Sequence, residues 1–478
     1  MKKFSLSVLS ICCVLGLAAC GGGSEGGSTS PTTPTMSDLE KAKTLASDAH
    51  LMITDAKAIH DAYDPVVSTI DNPAMSGLNQ SIDLLFDLQN DLFLDAVESQ
   101  QSLSLKGSEI DQLDEFYGYS IKASDDATVN VTTNGDVTIN GTFTLKPILY
   151  AYVDLKGNKV YEFGDEFTSS VKNMKFSGSN VLTASKVFTS NLASQGSIQT
   201  KAQGTTATLV LEGSGVNTVT ESFDTSLTYK QRLTSTNADD FARKLDVSLK
   251  GVRVTTDTPQ TTIVAQTLLL SGERVNAKVV NSSQTVTLEL PTRATVIGQV
   301  SMPEPKTDLS IDVTATVTPS SQTLAAQEYC DGYYFNGAEY VCDPAYELEE
   351  NASAFLKGVF SVKLKGTTTV NTKNVPLDIV VSGKRDSYTT VQSTEIVLNV
   401  NQRKLIAEVT ATDNVDVPMT HVKITSSVGS YTEFKLDENS DFVGDAPIKV
   451  GNTTYGSLLK QSSGMVSAKF NDNFIIVL

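Results

Sequence analysis

Apolar residues recur along this chain with two different periods. Between Ser37 and Gln100 the spacing alternates between three and four residues, which is typical of helices with one buried stripe. From about Tyr119 onward the spacing is two, and the intervening positions are mostly Thr, Ser, Asn, Asp and Lys, which is typical of antiparallel strands with one buried face. The pattern predicts a mainly β protein in which an N-terminal helical hairpin precedes a large antiparallel β region.

The helical region, 37–105, contains two apolar stripes. Ser37 and Glu40 have the spacing of a capping box, and Asn72-Pro73 is typical of an N-cap followed by proline. The first stripe is made mostly of small residues: Ala42, Ala46, Ala49, Ile53, Ala56, His60 and Tyr63. The second is made of Leu78, Ile82, Leu85, Leu88, Leu92 and Ala96. Two antiparallel helices and one helix kinked near Pro65 both fit this pattern.

The β region opens with a predicted hairpin. Val129 and Val131 alternate into Asn134-Gly135, a dipeptide typical of a two-residue type I′ turn. We expect roughly 14 to 18 strands in total, judged from the number of alternating runs. Those that matter below are Leu309/Ile311/Val313, Phe360/Val362/Leu364, Leu377/Ile379/Val381 and Ile396/Leu398/Val400.

Four segments recur in the same order, which predicts a tandem duplication. The matched pairs are Leu245–Gly251 with Phe360–Gly366, Leu269–Arg274 with Val380–Arg385, Val286–Leu290 with Ile396–Val400, and Val296–Ser301 with Leu405–Thr410. We therefore expect a β region at 118–240, a first β repeat at 241–320, a joining segment at 321–354, and a second repeat with the C-terminal strands at 355–478. The two modules would form a curved or sandwich-like sheet; whether it is open, sandwiched or closed stays undecided.

The amino terminus has the pattern of an export signal. Lys2 and Lys3 precede an apolar run from Phe4 to Ala19 that is shorter than the roughly 20 residues of a spanning helix. The run ends in Leu17-Ala18-Ala19-Cys20, which resembles the lipobox of bacterial lipoproteins. The resemblance implies that residues 1–19 are a signal peptide and that Cys20 carries diacylglycerol and an acylated amine. Because Gly21, not Asp, follows, it also implies the outer membrane, with the periplasmic or cell-surface face left open.

Charge and composition limit the partners of the mature chain. Residues 20–36 are rich in Gly, Ser, Thr and Pro and predict a flexible, lipidated tether. Without the two signal lysines, 35 basic residues face 55 acidic ones, a net charge of about −20. Such a surface disfavours nucleic acid, because binding there depends on Lys and Arg at the phosphates. The expected partners are the membrane, through the lipid, and a protein or a glycan.

Two cysteines remain after the signal peptide and Cys20. Cys330 and Cys342, in an oxidising compartment, predict one disulfide that closes a loop of about 13 residues and contributes roughly 3 kcal/mol. The same loop carries Tyr333, Tyr334 and Phe335, which are candidate binding residues because rigid aromatic side chains lose little entropy on recognition. The alternative is that these rings seal the joint between the repeats.

Catalytic chemistry has no local signature in this sequence. We expect His60 to be packed on its helix and not to bind a ligand, and His421 has no recognisable triad motif around it. Residues 437–441 have alternate oxygens, as in calcium loops, but Phe442 stands where an EF-hand needs glycine. We therefore predict no catalytic residue, no metal and no cofactor. The first hypothesis is a non-enzymatic lipoprotein with a structural or interaction role. The alternative is a carrier that binds an apolar ligand such as a lipid, or a glycan, on a concave β sheet; an enzyme ranks third.

Overall fold

In a computed structural model, the described parts of the chain form helices first and strands afterwards. The structure describes residues 36–69, 72–111, 119–153, 159–179, 183–192, 195–212, 217–235, 237, 240–281, 284–319, 324–335, 340–348, 356–385, 391–412, 419–437, 441–461 and 465–478. Its helices are α1 (Asp38–Ser68), α2 (Pro73–Ser99), α3 (Ser108–Asp111) and α4 (Tyr229–Leu233). The protein is thus mainly β with an N-terminal helical region, as the periodicity predicts.

The two long helices begin where the sequence predicts. Glu40 N donates to Ser37 Oγ at 3.3 Å and Ser37 N donates to Glu40 Oε2 at 2.8 Å, which is the reciprocal capping box. Ala74 N donates to Asn72 Oδ1 at 2.8 Å, as an N-cap requires. The break between the helices follows Ser68, so Pro65 lies inside α1. The alternative of one helix kinked near Pro65 is therefore wrong.

Strands fill the rest of the described chain. They are β1 (Leu103–Lys106), β2 (Tyr119–Ala123), β3 (Thr128–Val131), β4 (Asp136–Val153), β5 (Lys159–Phe163), β6 (Phe167–Ser179), β7 (Ser185–Leu192), β8 (Gln195–Ala202), β9 (Thr205–Glu212), β10 (Asn217–Leu227), β11 (Lys244–Asp257), β12 (Gln260–Asn281), β13 (Gln284–Met302), β14 (Thr307–Pro319), β15 (Leu324–Phe335), β16 (Tyr340–Leu348), β17 (Leu356–Val370), β18 (Lys373–Arg385), β19 (Val391–Val400), β20 (Arg403–Thr412), β21 (Met419–Ser426), β22 (Ser430–Leu436), β23 (Ala446–Val450), β24 (Thr453–Lys460), β25 (Val466–Phe470) and β26 (Ile475–Val477).

The first predicted hairpin forms, but with a different turn. Val131 pairs with Val137, and Gly135 N donates to Thr132 O at 3.0 Å. Gly135 has φ +86°, whereas Asn134 is not among the residues with positive φ. A type I′ turn needs positive φ at both central residues, so the loop is instead a type I turn followed by a left-handed glycine.

Contacts divide the chain into two units. Among the described residues, unit 1 takes Pro65–Glu304 and Thr323–Glu350, and unit 2 takes α1 up to Asp64, Pro305–Gln322 and Asn351–Leu478. The predicted first repeat, 241–320, is therefore divided, because β14 pairs with β17 in unit 2. Of the helices in the described residues, none is long and apolar enough to cross a membrane.

In unit 1, helix α2 lies against an antiparallel sheet. The helix contacts β1, β3, β6, β8 and β9. All six residues of its predicted stripe are buried: Leu78, Ile82, Leu85, Leu88, Leu92 and Ala96. Further strands extend this sheet from β9 and β10 through β11 and β12 to β13, and β15 joins β12 through the parallel pair Val279–Leu324.

In unit 2, eleven strands pair antiparallel in sequence order. The order is β14, β17, β18, β19, β20, β21, β22, β23, β24, β25 and β26. The connections after β17 range from two residues, as between β17 and β18, to the nine residues between β22 and β23. Connections of two residues suffice between antiparallel strands. Helix α1 contributes the unit's only long helix among the described residues.

The strand pairing agrees with the predicted duplication for the first two of the four pairs of matched segments. Leu245 pairs with Gly272 in unit 1, and Phe360 pairs with Gly383 in unit 2, at equivalent positions of the matched segments. The other two segments differ, since Val286–Ser301 lies on the single strand β13 while its counterpart is split between β19 and β20. The duplication itself stays a prediction.

Candidate ligand-binding face

One face of the unit 2 sheet carries apolar residues in parallel rows. Cross-strand partners in an antiparallel sheet point to the same side, so the pairings define these rows directly. The first row lies near the turns that join β17 to β18 and β19 to β20. It consists of Leu309, Gly366, Leu377, Val400 and Arg403. The next row is Ile311, Leu364, Ile379, Leu398, Leu405 and Ser426. We call these two the covered rows, because most of their side chains are buried.

The same face continues as an apolar surface that is only half-buried. The third row is Val313, Val362, Val381, Ile396, Ala407 and Ile424, and beyond it lie Ala315, Phe360, Val409 and Val422. Each of these side chains keeps part of its surface accessible, and Phe360 is 40% exposed. We call these ten residues the open band. A contiguous apolar surface of this kind typically marks an interaction site.

The opposite face of the same strands is charged. Lys363 Nζ lies 3.0 Å from Asp312 Oδ2, and Lys423 Nζ lies 2.9 Å from Glu408 Oε2. Val380 and Val397, which pair with each other on this face, are also half-buried. The two faces therefore differ in charge, and the sheet offers matched valines on both sides.

One end of the open band is shaped by a glycine. A Cβ built on Gly383 would lie 2.1 Å from Cε1 of Phe360, so the aromatic ring occupies the space above the glycine. Phe360 and Gly383 are direct cross-strand partners. Any larger residue at Gly383 would displace the ring, so this pair fixes the position of the largest side chain in the band.

Helix α1 is attached beside the covered rows through polar groups. Tyr63 Oη is hydrogen-bonded to Thr307 Oγ1 and, at 2.9 Å, to Thr368 Oγ1. The two threonine hydroxyls are 3.0 Å apart, and Thr307 also donates to Pro305 O at 2.9 Å. Near the other end of the helix, Ser430 Oγ donates to Lys41 O at 2.6 Å.

A fully buried carboxylate lies in the middle of α1. Asp55 has no exposed surface and accepts from Arg403 Nη1 at 3.1 Å through Oδ2, while its Oδ1 has no hydrogen-bond partner among the described residues. Burial raises the pKa of Asp55 to about 6, although the nearby Arg403 guanidinium lowers it. Burial also raises the pKa of Asp48, and Arg403 again acts in the opposite direction. Desolvation thus outweighs the attraction of the guanidinium at this contact.

The corresponding region of unit 1 is closed. Beneath α2 the void that remains has a volume of about 10 Å³ and is lined by leucines and by Phe143, Ser81 and Ser169, among others. Such a void holds at most one water molecule. Ser81 is hydrogen-bonded to Ser169, which lies 2.9 Å from Thr200 Oγ1. This void beneath α2 therefore has no room for a ligand larger than water.

In a second polar cluster of unit 1, the central side chain is already bonded within the protein. Arg232 of α4 is buried, with its guanidinium 3.7 Å above the ring of Phe223. It donates to the carbonyl oxygens of Ser185, Thr225 and Asp240. These bonds join α4 to three surrounding segments, so the arginine is part of the packing of this region.

Most of the site residues predicted from the sequence lie where the structure gives little information. Cys20 is outside the described residues. Cys330, Tyr333, Tyr334 and Phe335 lie on β15, and Cys342 lies on β16; the backbone register sets Tyr333 opposite Cys342 and Cys330 opposite Pro344. Their side chains lie outside the described part of the structure, as do residues 336–339. The disulfide and the aromatic recognition surface therefore stay predictions.

The histidines do not form a site in the described part of the chain. The prediction that His60 is packed is wrong, because its side chain is 69% exposed beside Asp61. His421 lies on the charged face with Nε2 2.9 Å from Glu433 Oε1, and its cross-strand neighbours are Thr410 and Lys435. The described residues contain no group of three or more metal-ligating side chains.

Of residues 437–441, considered above for calcium, the structure describes Asp437 and Asp441, and Asp441 lines a shallow depression. The depression has a volume of about 690 Å³ and is lined by Asp441–Phe442, Gly444–Ala446 and Ser457–Gln461. Asp441 is paired with Lys460 and its backbone N–H donates to Asp437 Oδ1 at 2.9 Å. With a lysine already at its carboxylate, Asp441 is a poor ligand for a cation.

Sequence reasoning found the strands of the open band but not the polar contacts of α1. The alternating runs that include Val313, Val362, Val381 and Ile396 were all visible as strands. Asp55 was not, because it lies one position away from Ala56 of the predicted stripe and its partner Arg403 is 348 residues distant. In the sequence Asp55 is not distinguished from Asp48, Asp61 and Asp64, each of which also lies one position away from the predicted stripe.

Comparison with known proteins does not assign the chain to a family. No family model, no curated protein and no solved structure matches it. The function must therefore be inferred from the residues themselves.

Proposed function

We propose that this protein is a lipid-anchored, non-enzymatic binding protein of the outer membrane, and that the open band of unit 2 binds the acyl chain of a lipid. The observation that carries the proposal is the half-exposed third row, which runs without a charged residue across six neighbouring strands. A face that served only as the sheet's own core would be covered along its whole length.

The size of the band fits an extended acyl chain. Six strands spaced roughly 4.8 Å apart span about 24 Å. The hydrocarbon core of a bilayer is about 30 Å thick, so a chain of one leaflet spans about 15 Å. A single chain laid across the strands would therefore contact most of the third row and leave its polar end at an edge of the band.

An extended peptide is a weaker fit than an acyl chain. A peptide needs partners for its own N–H and C=O groups. The open band presents Val, Ile, Ala and Phe side chains across the middle of the sheet, where the strands already pair with each other. Such a surface offers apolar contact but few hydrogen bonds.

The predicted address of the protein supports the same class of ligand. A lipid on Cys20, followed by the tether at 20–36, would hold the folded body next to a bilayer from which acyl chains are available. Lipidation, the outer-membrane location and the disulfide between Cys330 and Cys342 are parts of this proposal.

The experiment compares two double variants with the same chemical change on opposite faces. Val362→Thr/Val381→Thr alters two cross-strand partners of the open band, and Val380→Thr/Val397→Thr alters two cross-strand partners of the charged face. The parent and both double variants are made in the full chain with Cys20→Ser. Without the lipid the protein needs no detergent, so no detergent competes for the site. Binding of a fluorescent palmitate analogue is then titrated.

We expect the open-band double variant to bind about tenfold more weakly, because each substitution removes an apolar methyl contact and forces a hydroxyl to be desolvated by the ligand. The charged-face variant should bind within about twofold of the parent. Equal weakening in both, or no saturable binding by the parent, would contradict the proposal. In addition, organic extraction of the native protein should release a non-covalently held lipid, detectable by mass spectrometry.

A further inference from the structure

We propose that α1 is an internal competitor for the ligand: it lies beside the covered rows, which continue the open band on the same face, and a ligand that extends from the band onto these rows displaces it. This inference rests on the proposed function and concerns the regulation of the same face.

The first argument is continuity between the covered rows and the open band. Ile311 leads to Val313 along β14, Leu364 leads to Val362 along β17, and Ile379 leads to Val381 along β18, all on one face. No charged side chain separates the two parts along these strands. The open band therefore does not end at a change in the chemistry of the sheet, and the polar contacts of α1 lie on the side of the covered rows.

The second argument is that the sheet keeps its hydrogen bonds when the helix leaves. Thr307 and Thr368 bond to each other as well as to Tyr63, and Thr307 also bonds to a backbone carbonyl. Ser430 bonds to Ser426 at 2.7 Å as well as to Lys41 O. Undocking would thus leave these sheet hydroxyls still paired, which lowers its free-energy cost.

The third argument is that α1 buries a carboxylate at a net cost. Asp55 is fully buried with one oxygen unpartnered among the described residues, and a single bond to Arg403 compensates the other. Exposure to water would solvate both Asp55 and Arg403. The buried residues of the helix include Leu45, Met52 and Ile59 as well as the small Ala42 and Ala46, so the burial of Asp55 offsets part of their apolar gain.

The competition makes an unusual prediction for Tyr63→Phe. The variant removes the hydroxyl that joins α1 to Thr307 and Thr368, while the aromatic ring stays. If α1 competes with the ligand, this loss should strengthen binding of the palmitate analogue by about fivefold, because the fraction of protein in the binding-competent state rises. A residue with a merely structural role would leave the affinity unchanged or weaken it.

The matched control is Ser81→Ala in unit 1, which removes the hydroxyl that joins α2 to Ser169. It should leave the affinity unchanged. Hydrogen exchange of α1 amides, measured in the full chain with and without the palmitate analogue, gives the second readout. We expect exchange across 38–64 to become faster in the presence of the ligand, whereas amides of β17–β20 become slower.

The outcomes separate this inference from the proposed function. Saturable binding with unchanged or slower α1 exchange, or with weaker binding by Tyr63→Phe, would overturn the displacement and leave the acyl-binding function standing. An absence of binding in the parent and in both variants would overturn the function and the displacement together.

Discussion

Each unit of this protein places a long helix against an antiparallel sheet, but the two helices do so in different ways. Helix α2 fills the face of unit 1 with leucines and leaves a void of only about 10 Å³. Helix α1 buries Leu45, Met52 and Ile59 together with small residues, but it also buries Asp55 and is bonded to the sheet through Tyr63. A helix on a sheet can therefore be held mainly by apolar packing or by apolar packing combined with polar contacts.

The energetic difference follows from the kind of contact. Leucines buried in a filled space gain transfer free energy and packing, and nothing in water replaces these gains. Hydroxyl and carboxylate contacts largely exchange one hydrogen-bond partner for another, so their net contribution is about 1 kcal/mol each. We therefore expect α2 to be a permanent part of unit 1 and α1 to be the less tightly held helix.

The largest expected effect tests the closed unit. Leu88→Ala should destabilise unit 1 by about 2 to 5 kcal/mol, because Leu88 is buried in a packed interior that cannot collapse around the lost atoms. Hydrogen exchange across 73–99 should become faster by the corresponding factor. Amides of β17–β22 should keep their protection, and loss of protection throughout unit 2 would show that the two units do not unfold independently.

A pH change tests the buried carboxylate of the other unit. The pKa of Asp55 is raised to about 6, so the folded state binds a proton more tightly than the unfolded state does. The contribution of this group to stability is therefore full below its ordinary pKa and is lost as the pH rises through about 6. Between pH 7 and pH 5 we expect unit 2 to gain about 1 kcal/mol.

Urea unfolding at the two pH values, followed by hydrogen exchange in α1, measures this gain. Asp55→Asn should remove most of it, and the part that remains should come from Asp48, whose pKa is raised in the same direction. A stability that falls from pH 7 to pH 5 in the parent but not in the variant would contradict the assignment.

The smallest expected effect concerns the surface contact of α1. Lys43 is paired with Asp472 and lies 4.7 Å from the centroid of the Phe474 ring, and all three side chains are partly exposed. Lys43→Ala should cost less than about 1 kcal/mol, because water and salt screen such a pair. The effect should shrink further when the unfolding is repeated at high salt. A cost comparable to that of Leu88→Ala would show that α1 is held mainly at this end.

The sequence predicted one helix of the pair better than the other. For α2 the large apolar residues specify a single stripe, and all six predicted members are buried. For α1 the small residues specify the face poorly, so Ile53, placed on the stripe, is 51% exposed, while Met52 and Ile59 are buried. The helix has about 3.6 residues per turn, so an alternating three-and-four pattern drifts around a long helix. Bulky apolar residues along α1 would have shown which positions face the sheet, and small residues do not.

The candidate site was predictable only in part for a related reason. Alternation along β17 and β18 identified Val362 and Val381 as members of a buried face. It could not show that α1 stops before them, because coverage depends on contacts between segments more than 300 residues apart. The charged residues of the opposite face can be recognised in the sequence, but the sequence does not show which of them form ion pairs.

The order of the chain has a consequence for how unit 2 is made. Its helix is synthesised early, whereas the segments that carry its strands begin at residues 305 and 351. For most of synthesis α1 has no sheet to bind, and unit 1 is complete in sequence, except for 323–350, before the first of those strands arrives. During that delay Leu45, Met52 and Ile59, which are buried in the folded protein, have no sheet to cover them, whereas Asp55 keeps part of the same face of the helix polar.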